Sequence, residues 1–235
     1  QNKAKEKGVT VFTTDMFDDA HLGKKAVSTP IIFEDAENYQ FADISQVNSR
    51  NFDDDHWREL LYLLEKVNEK YVRPSNHTKI YGGGYRSFGT GGLEDGIERF
   101  WRNILAGSAS SRFHRPPYGN GLNEKTKASI KAARLLETEI KLWNIEPRME
   151  LLSDREPNEA YLAASLGEAY VIYFTYAGDV NLDFTEIDGT FQLQWISITE
   201  GKWLNQKPSI IQGGRIVSLK APFKGGWIAL LKRKR

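Results

Sequence analysis

Near residue 150 the sequence changes its pattern, and no single regular architecture accommodates both halves. Upstream, short apolar stretches at 9–14, 41–47, 78–81 and 109–114 alternate with segments of helical periodicity. One helix is expected to open at Asp53-Asp54-Asp55, to carry Trp57, Leu60, Leu61, Leu64, Val67 and Tyr71, and to end by Pro74. A second spans 94–105 with Ile97, Phe100, Trp101, Ile104 and Leu105 on one stripe. A third runs over 123–143 from an Asn123 cap, with Ile130, Ala133, Leu136, Ile140 and Trp143 inward. This alternation predicts a parallel sheet with crossover helices. Downstream, short runs at 159–164, 169–175, 180–184, 191–198, 215–219 and 226–232 are divided by turn residues such as Ala177-Gly178-Asp179, Asp188-Gly189, Glu200-Gly201 and Gln212-Gly213-Gly214. Strands about 8 to 12 residues apart with no helix between them predict an antiparallel β-sandwich.

The expected fold class is α/β plus all-β, with one domain over residues 1–148, another over 149–235, and the joint at 146–155. Four βα units amount to half of a (β/α)8 barrel of TIM type, and a half-barrel leaves two sheet edges open. The opening Gln1-Asn2-Lys3-Ala4-Lys5-Glu6-Lys7-Gly8 reads as the last turns of a helix. Both features predict that the chain is a piece of a longer protein.

Composition narrows the function. A net charge of +1 gives no global field to recruit nucleic acid, and the basic end Lys232-Arg233-Lys234-Arg235 reads as solvated. No apolar run approaches the roughly 20 residues that span a bilayer. Cysteine is absent, which excludes thiol chemistry, and the four histidines are too scattered for a metal-type pair, so no cofactor or metal is expected. The 28 aromatic residues (6 Trp, 10 Tyr, 12 Phe) offer flat faces to sugar rings, although most aromatics in any fold are core.

In a parallel βα barrel the working residues stand at the C-terminal ends of the strands and just beyond. Those positions hold Asp15, Asp18 and Asp19, then Gln46, Asn48, Ser49 and Arg50, then Tyr81, Tyr85, Arg86 and Ser87, and finally Arg112, His114 and Arg115. Carboxylates, amides, arginines and aromatics together suit a polyhydroxylated ligand. Glycoside hydrolysis commonly uses two carboxylates. Asp15, at a strand end, is the best placed; Asp18-Asp19 also reads as a solvated turn, Asp53 to Asp55 as helix capping, and Glu94 with Asp95 as a helix start. The stretch Gly82-Gly83-Gly84 through Gly91-Gly92 lacks the Lys-Ser/Thr of a phosphate loop and reads as a loop over the barrel mouth. Asn76-His77-Thr78 matches a glycosylation sequon, a short match that carries little weight.

The run Trp101-Arg102-Asn103-Ile104-Leu105-Ala106-Gly107-Ser108-Ala109-Ser110-Ser111-Arg112-Phe113-His114-Arg115-Pro116 resembles bacterial apiosidase-like glycoside hydrolases, as do Glu150-Leu151-Leu152-Ser153-Asp154-Arg155, Asn158-Glu159-Ala160-Tyr161-Leu162-Ala163 and Gly225-Gly226-Trp227-Ile228-Ala229-Leu230. That resemblance implies a (β/α)8 catalytic barrel followed by a collagen-binding-type β-sandwich, the latter a fold label and not an activity. It implies a carbohydrate substrate from plant or host polysaccharide, and a periplasmic or extracellular location. It makes the four strands the fifth to eighth of the barrel. An acid/base glutamate after the fourth strand would then lie upstream of Gln1. A nucleophile is expected at the end of the seventh strand, yet 78–81 runs into Gly82-Gly83 with no carboxylate. Either the second carboxylate comes from elsewhere, Asp15 first with Asp43 or Glu94 behind it, or the barrel does not use the usual retaining mechanism, or it binds glycan without cleaving it. Tyr81, Tyr85, Arg112 and His114 would line the sugar site, with Gln46 and Asn48 binding hydroxyls. The oligomeric state is left open; a homodimer would have to pair the open barrel edges.

Overall fold

The computed structural model describes residues 2–14, 34–44, 52–80, 92–114 and 121–234. It is a mixed helix-and-sheet chain whose sheets are mostly antiparallel.

After one helical turn, α1 (Asn2–Lys5), come three parallel strands, β1 (Ala42–Asp43), β2 (Ser75–Ile80) and β3 (Ser110–Phe113), side by side in that order. Helix α2 (Asp53–Asn68) follows β1, α3 (Leu93–Leu105) follows β2, and α4 (Glu124–Glu139) follows β3. In α2, Trp57, Leu60, Leu63, Leu64 and Val67 are buried. This helix stops well before Pro74, because the Asn68 side chain turns the backbone: Nδ2 donates to the Leu64 carbonyl at 2.9 Å and Oδ1 accepts from the Arg73 amide at 3.0 Å. The α4 start follows its cap, Asn123 Oδ1 accepting from the Thr126 amide at 3.0 Å. Its end comes earlier than the periodicity predicts. Trp143 belongs to a separate 3-10 turn, Leu142–Asn144, and is 80% exposed.

Residues 9–14 form no strand. The side-chain amide of Gln40 takes the Thr13 backbone N–H at 2.9 Å, the group a ladder would need, and Phe12 meets Phe41 edge-on with ring centroids 6.0 Å apart.

From Glu146 onward the chain makes two antiparallel sheets. One runs β10 (Lys202–Trp203), β9 (Thr190–Ser197), β13 (Trp227–Arg233), β7 (Ala169–Phe174), β6 (Ala160–Ser165), β4 (Glu146–Pro147), with β11 (Ser209–Gln212) also paired to β9. The other is β12 (Ile216–Lys220), β8 (Asp179–Asp183), β5 (Leu152–Ser153). The turn glycines are at work between them: Gly189 adopts φ +114° and packs where any Cβ would stand 2.3 Å from the Arg233 guanidinium.

The larger sheet is buried on both faces. Leu162, Tyr170, Ile172, Phe174, Phe191 and Trp195 share a core with Val180, Leu182 and Leu219 of the smaller sheet. The alternate positions Tyr161, Ala163, Val171, Tyr173, Ile228 and Leu230 share another with Trp57, Phe100 and Trp101 of the helices. Strands wetted on neither side read as continuous apolar runs, as β6, β7 and β13 do. Among the described residues no helix is long and apolar enough to cross a membrane.

Candidate functional site

The parallel sheet has one apolar-backed face and one polar face. Register places Asp43 opposite Asn76 and Asn76 opposite Ser110. Side chains two residues apart on a strand share a face, so Thr78 and Arg112 extend the same polar surface. Its members are joined. Thr78 Oγ1 donates to Asp43 Oδ2 at 2.7 Å, Ser110 Oγ donates to Asn76 Oδ1 at 3.0 Å, and Arg112 Nε donates to the Thr78 carbonyl at 2.9 Å. Asp43 is only 4% exposed, whereas Arg112 is open to solvent. A carboxylate, an amide, two hydroxyls and a guanidinium held on adjacent strands form a pattern suited to hydroxyl-rich ligands.

Of the residues expected to line the sugar site, Arg112 and His114 fall within the described regions. His114 follows β3 directly; its amide donates to the Ile80 carbonyl at 3.0 Å, tying it to the end of β2. Asp15, Asp18, Gln46, Asn48, Tyr81, Tyr85 and Arg86 lie outside the described residues. Asp43, a reserve candidate by sequence, is the carboxylate that the strands join to Arg112 through Thr78. Glu94 instead makes a solvated pair with Lys125.

The reverse face of the sheet carries His77, buried against the helices, where burial pushes its imidazole down to about 4 against the opposing pull of Asp43. His56 of α2 is also buried and held well below the ordinary histidine range, by burial first and then by the charges of Arg99 and Arg102. Arg99 and Arg102 of α3 are fully buried. They are balanced within their own helix, Arg99 Nε by Asp95 at 2.8 Å and Arg102 Nη1 by Glu98 at 3.2 Å. The same burial raises the Glu98 carboxyl above its usual value.

This buried charge continues into the antiparallel part, and the sequence reading missed it. Asp54 does not cap α2, whose N-cap residue Phe52 makes no side-chain cap bond. Its carboxylate accepts instead from the Arg155 guanidinium and from the Tyr161 hydroxyl, the latter at 2.9 Å. Burial holds the Tyr161 phenol well above its normal value, so the hydroxyl stays a donor. The available signal was the pair of i,i+4 spacings Asp95/Arg99 and Glu98/Arg102 on a helix whose apolar stripe left them facing inward. A cleft of about 560 Å³ lies beside this network, lined by Trp57, Arg58, Leu61, Met149, Glu150 and Arg155. Among the described residues no group of three or more His, Asp or Glu could hold a metal ion.

No family model matches the sequence, and no curated protein matches it. Solved structures do. A glycoside hydrolase family 5 protein from Bacteroides vulgatus superposes with a TM-score of 0.63 at 15% identity, over 86% of this chain and 52% of that one. A second glycoside hydrolase gives 0.61 at 15% identity, over 86% and 54%. A noncanonic maltogenic α-amylase from Thermotoga neapolitana gives 0.55 at 11% identity, over 100% and 57%. The chain spans about half the length of these solved chains, and its fold is glycoside hydrolase-like.

Proposed function

We propose that this chain belongs to a glycoside hydrolase-like protein that acts on a poly- or oligosaccharide outside the cytoplasm, in the periplasm or beyond the cell. In this reading residues 1–148 are the later βα units of a (β/α)8 barrel, and 149–235 are a β-sandwich that backs them. The observation that carries it is the joined polar row Asp43–Thr78–Arg112 on the parallel sheet of a fold shared with solved glycoside hydrolases.

Hydrolysis of a glycosidic bond generally uses one carboxyl as proton donor and another as nucleophile or base. Asp15 is the carboxylate proposed to act on substrate. Asp43, nearly buried, orients the Thr78 hydroxyl. Arg112, His114, Gln46, Asn48, Asp18, Tyr81, Tyr85 and Arg86 bind sugar hydroxyls and faces. Because β2 carries no carboxylate of its own, a second reading stands beside the first: glycan binding without cleavage.

A thermal-shift and hydrolysis screen against plant and host glycans separates them. Turnover that disappears in Asp15→Asn supports the enzyme. Stabilisation without turnover in both this chain and an upstream-extended form, lost in Arg112→Ala, supports the binding protein. Turnover only in the extended form supports an enzyme of which this chain is an incomplete barrel. Neither stabilisation nor turnover with any glycan rejects both.

A further inference from the structure

The turn between β5 and β6 reaches out of the antiparallel part and touches α2 and α3 near their N-termini. Asp154 and Asn158 bend it through positive φ angles of 52° and 57°, a backbone region that Asp and Asn tolerate better than other side chains. Asn158 then engages every polar group it has. Its amide approaches Asp54 Oδ1 at 3.4 Å, and its Oδ1 accepts from Arg102 Nη1 at 2.9 Å and from the Tyr161 hydroxyl at 2.8 Å. Its Nδ2 donates to Glu98 Oε2 at 3.0 Å, and its carbonyl accepts from Thr175 Oγ1 at 2.6 Å. Arg155 adds a paired contact to Asp54 while its Nε holds the Ala160 carbonyl at 2.7 Å.

Asp54 lies in the first turn of α2 and Glu98 in the second turn of α3. Asn158 therefore bridges the two helices, its side chain bonding α3 directly and its backbone amide, with the Tyr161 hydroxyl between, reaching Asp54 of α2. Those helices back the strands that carry the polar row. From Arg102 the contact continues through Nε to His56 Nδ1 at 3.2 Å, and Asn103 Nδ2 donates to Ser111 Oγ of β3 at 3.2 Å. Breaking such a contact leaves a buried charged group without its partner, which is strongly unfavourable.

We propose that Asn158 is a positioning residue for the glycan site: the antiparallel part, through this one residue and the Tyr161 hydroxyl it holds, sets α2 and α3 against the parallel sheet and so sets Asp43, Thr78 and Arg112. The proposal rests on the glycan-acting reading of the polar row. It explains why a turn of the antiparallel part should carry a strained asparagine that reaches into the other part's buried charges.

The test uses the whole chain and the glucan, xylan, galactan or arabinan oligosaccharide that most stabilises it, with binding by calorimetry and amide exchange of residues 53–60 and 93–100. Asn158→Gly keeps the backbone angle and deletes the side-chain bonds; Asn158→Asp turns the Nδ2 donor into an acceptor against Glu98. Both are expected to weaken glycan binding at least fivefold and to speed exchange in the two helix starts, with exchange over 160–174 unchanged. Pairing Asn158→Asp with Glu98→Gln restores a donor between the two positions, and is expected to return affinity to within twofold of the parent. Parent-like affinity in Asn158→Asp, or no recovery in the paired variant, overturns the proposal. A parent chain that binds none of the oligosaccharides rejects the glycan-acting reading itself, a result recognisable before any variant is made.

Discussion

Arg102 Nε donates to His56 Nδ1 across 3.2 Å, joining α3 to α2 inside the protein. A hydrogen bond in that direction requires an unprotonated Nδ1, so the imidazole is neutral in the folded chain. His77, from β2, is buried close enough to act on His56, with Asp43 pulling its own imidazole the other way, and Arg99 and Arg102 add positive charge around His56.

Acid therefore acts on folding through these two histidines. An unfolded histidine takes up a proton near pH 6.5, while folded His77 resists protonation down to about 4. Across that window the unfolded chain binds more protons, so stability falls as pH is lowered and the loss is complete below about 4. The His77 contribution is roughly 3 kcal/mol. Urea midpoints measured from pH 7 to 4 should decline, and His77→Gln should flatten the decline; a flat profile in the parent chain contradicts the assignment.

Trp101 is the side chain on which three elements meet. It is fully buried, its Nε1 donates to Ser129 Oγ of α4 at 2.9 Å, and its ring stacks on Tyr173 of β7 at 5.9 Å. Trp101→Ala should cost about 3–5 kcal/mol through the cavity it leaves. Trp101→Phe should cost less, keeping the ring but leaving the serine hydroxyl without its donor. Equal losses in the two variants, read by chemical denaturation, would show that the hydrogen bond rather than the packing dominates.

At Gly213 the obstacle is backbone. A Cβ there would stand 1.8 Å from the Ile187 carbonyl oxygen, which has no rotamer to move out of the way. Gly213→Ala is expected to lower stability by about 1–3 kcal/mol. At Gly167 the nearest group is instead the flexible end of Arg233, at 3.4 Å. Gly167→Asn, which tolerates the positive φ, should cost less than half as much by thermal melting.

Arg112 and Asp43 are linked through Thr78 but stand in different surroundings. Arg112→Ala removes an exposed side chain, and stability should stay within about 0.5 kcal/mol of the parent. Glycan-induced stabilisation should nevertheless drop at least tenfold in terms of affinity. Asp43→Asn should lower both. An Arg112→Ala chain that binds glycan like the parent would remove the polar row from the site.

Six of the antiparallel strands were legible because glycine marks their turns, and their bounds differ from the expected ones by a residue or two: 180–184 was expected where Asp179–Asp183 forms, and 191–198 where Thr190–Ser197 forms; the short β4, β5, β10 and β11 carried no such signal. The helix capped by Asn123 was legible for the same local reason. What periodicity cannot express is which partner a polar side chain finds. Asp54 sits where a capping residue would sit, yet Arg155 is 101 residues away along the chain and claims it. Residues 9–14 have strand composition, but a single glutamine amide at Gln40 occupies the main-chain donor of Thr13. Asp43 was legible only as a reserve, since its pairing with Thr78 depends on the register of two strands.

The sheet with two buried faces has a thermodynamic consequence. Alternate residues of β6 and β7 belong to different cores, Leu162 and Ile172 to one, Tyr161 and Tyr173 to the other. Peeling the helices away would strand tyrosines in water, and stripping the small sheet would do the same to leucine and isoleucine on the opposite side. Neither layer can melt while the middle one stays intact at no penalty, so heat should dissolve all three in one calorimetric peak, and the chain should behave as a single cooperative unit despite its two contrasting patterns.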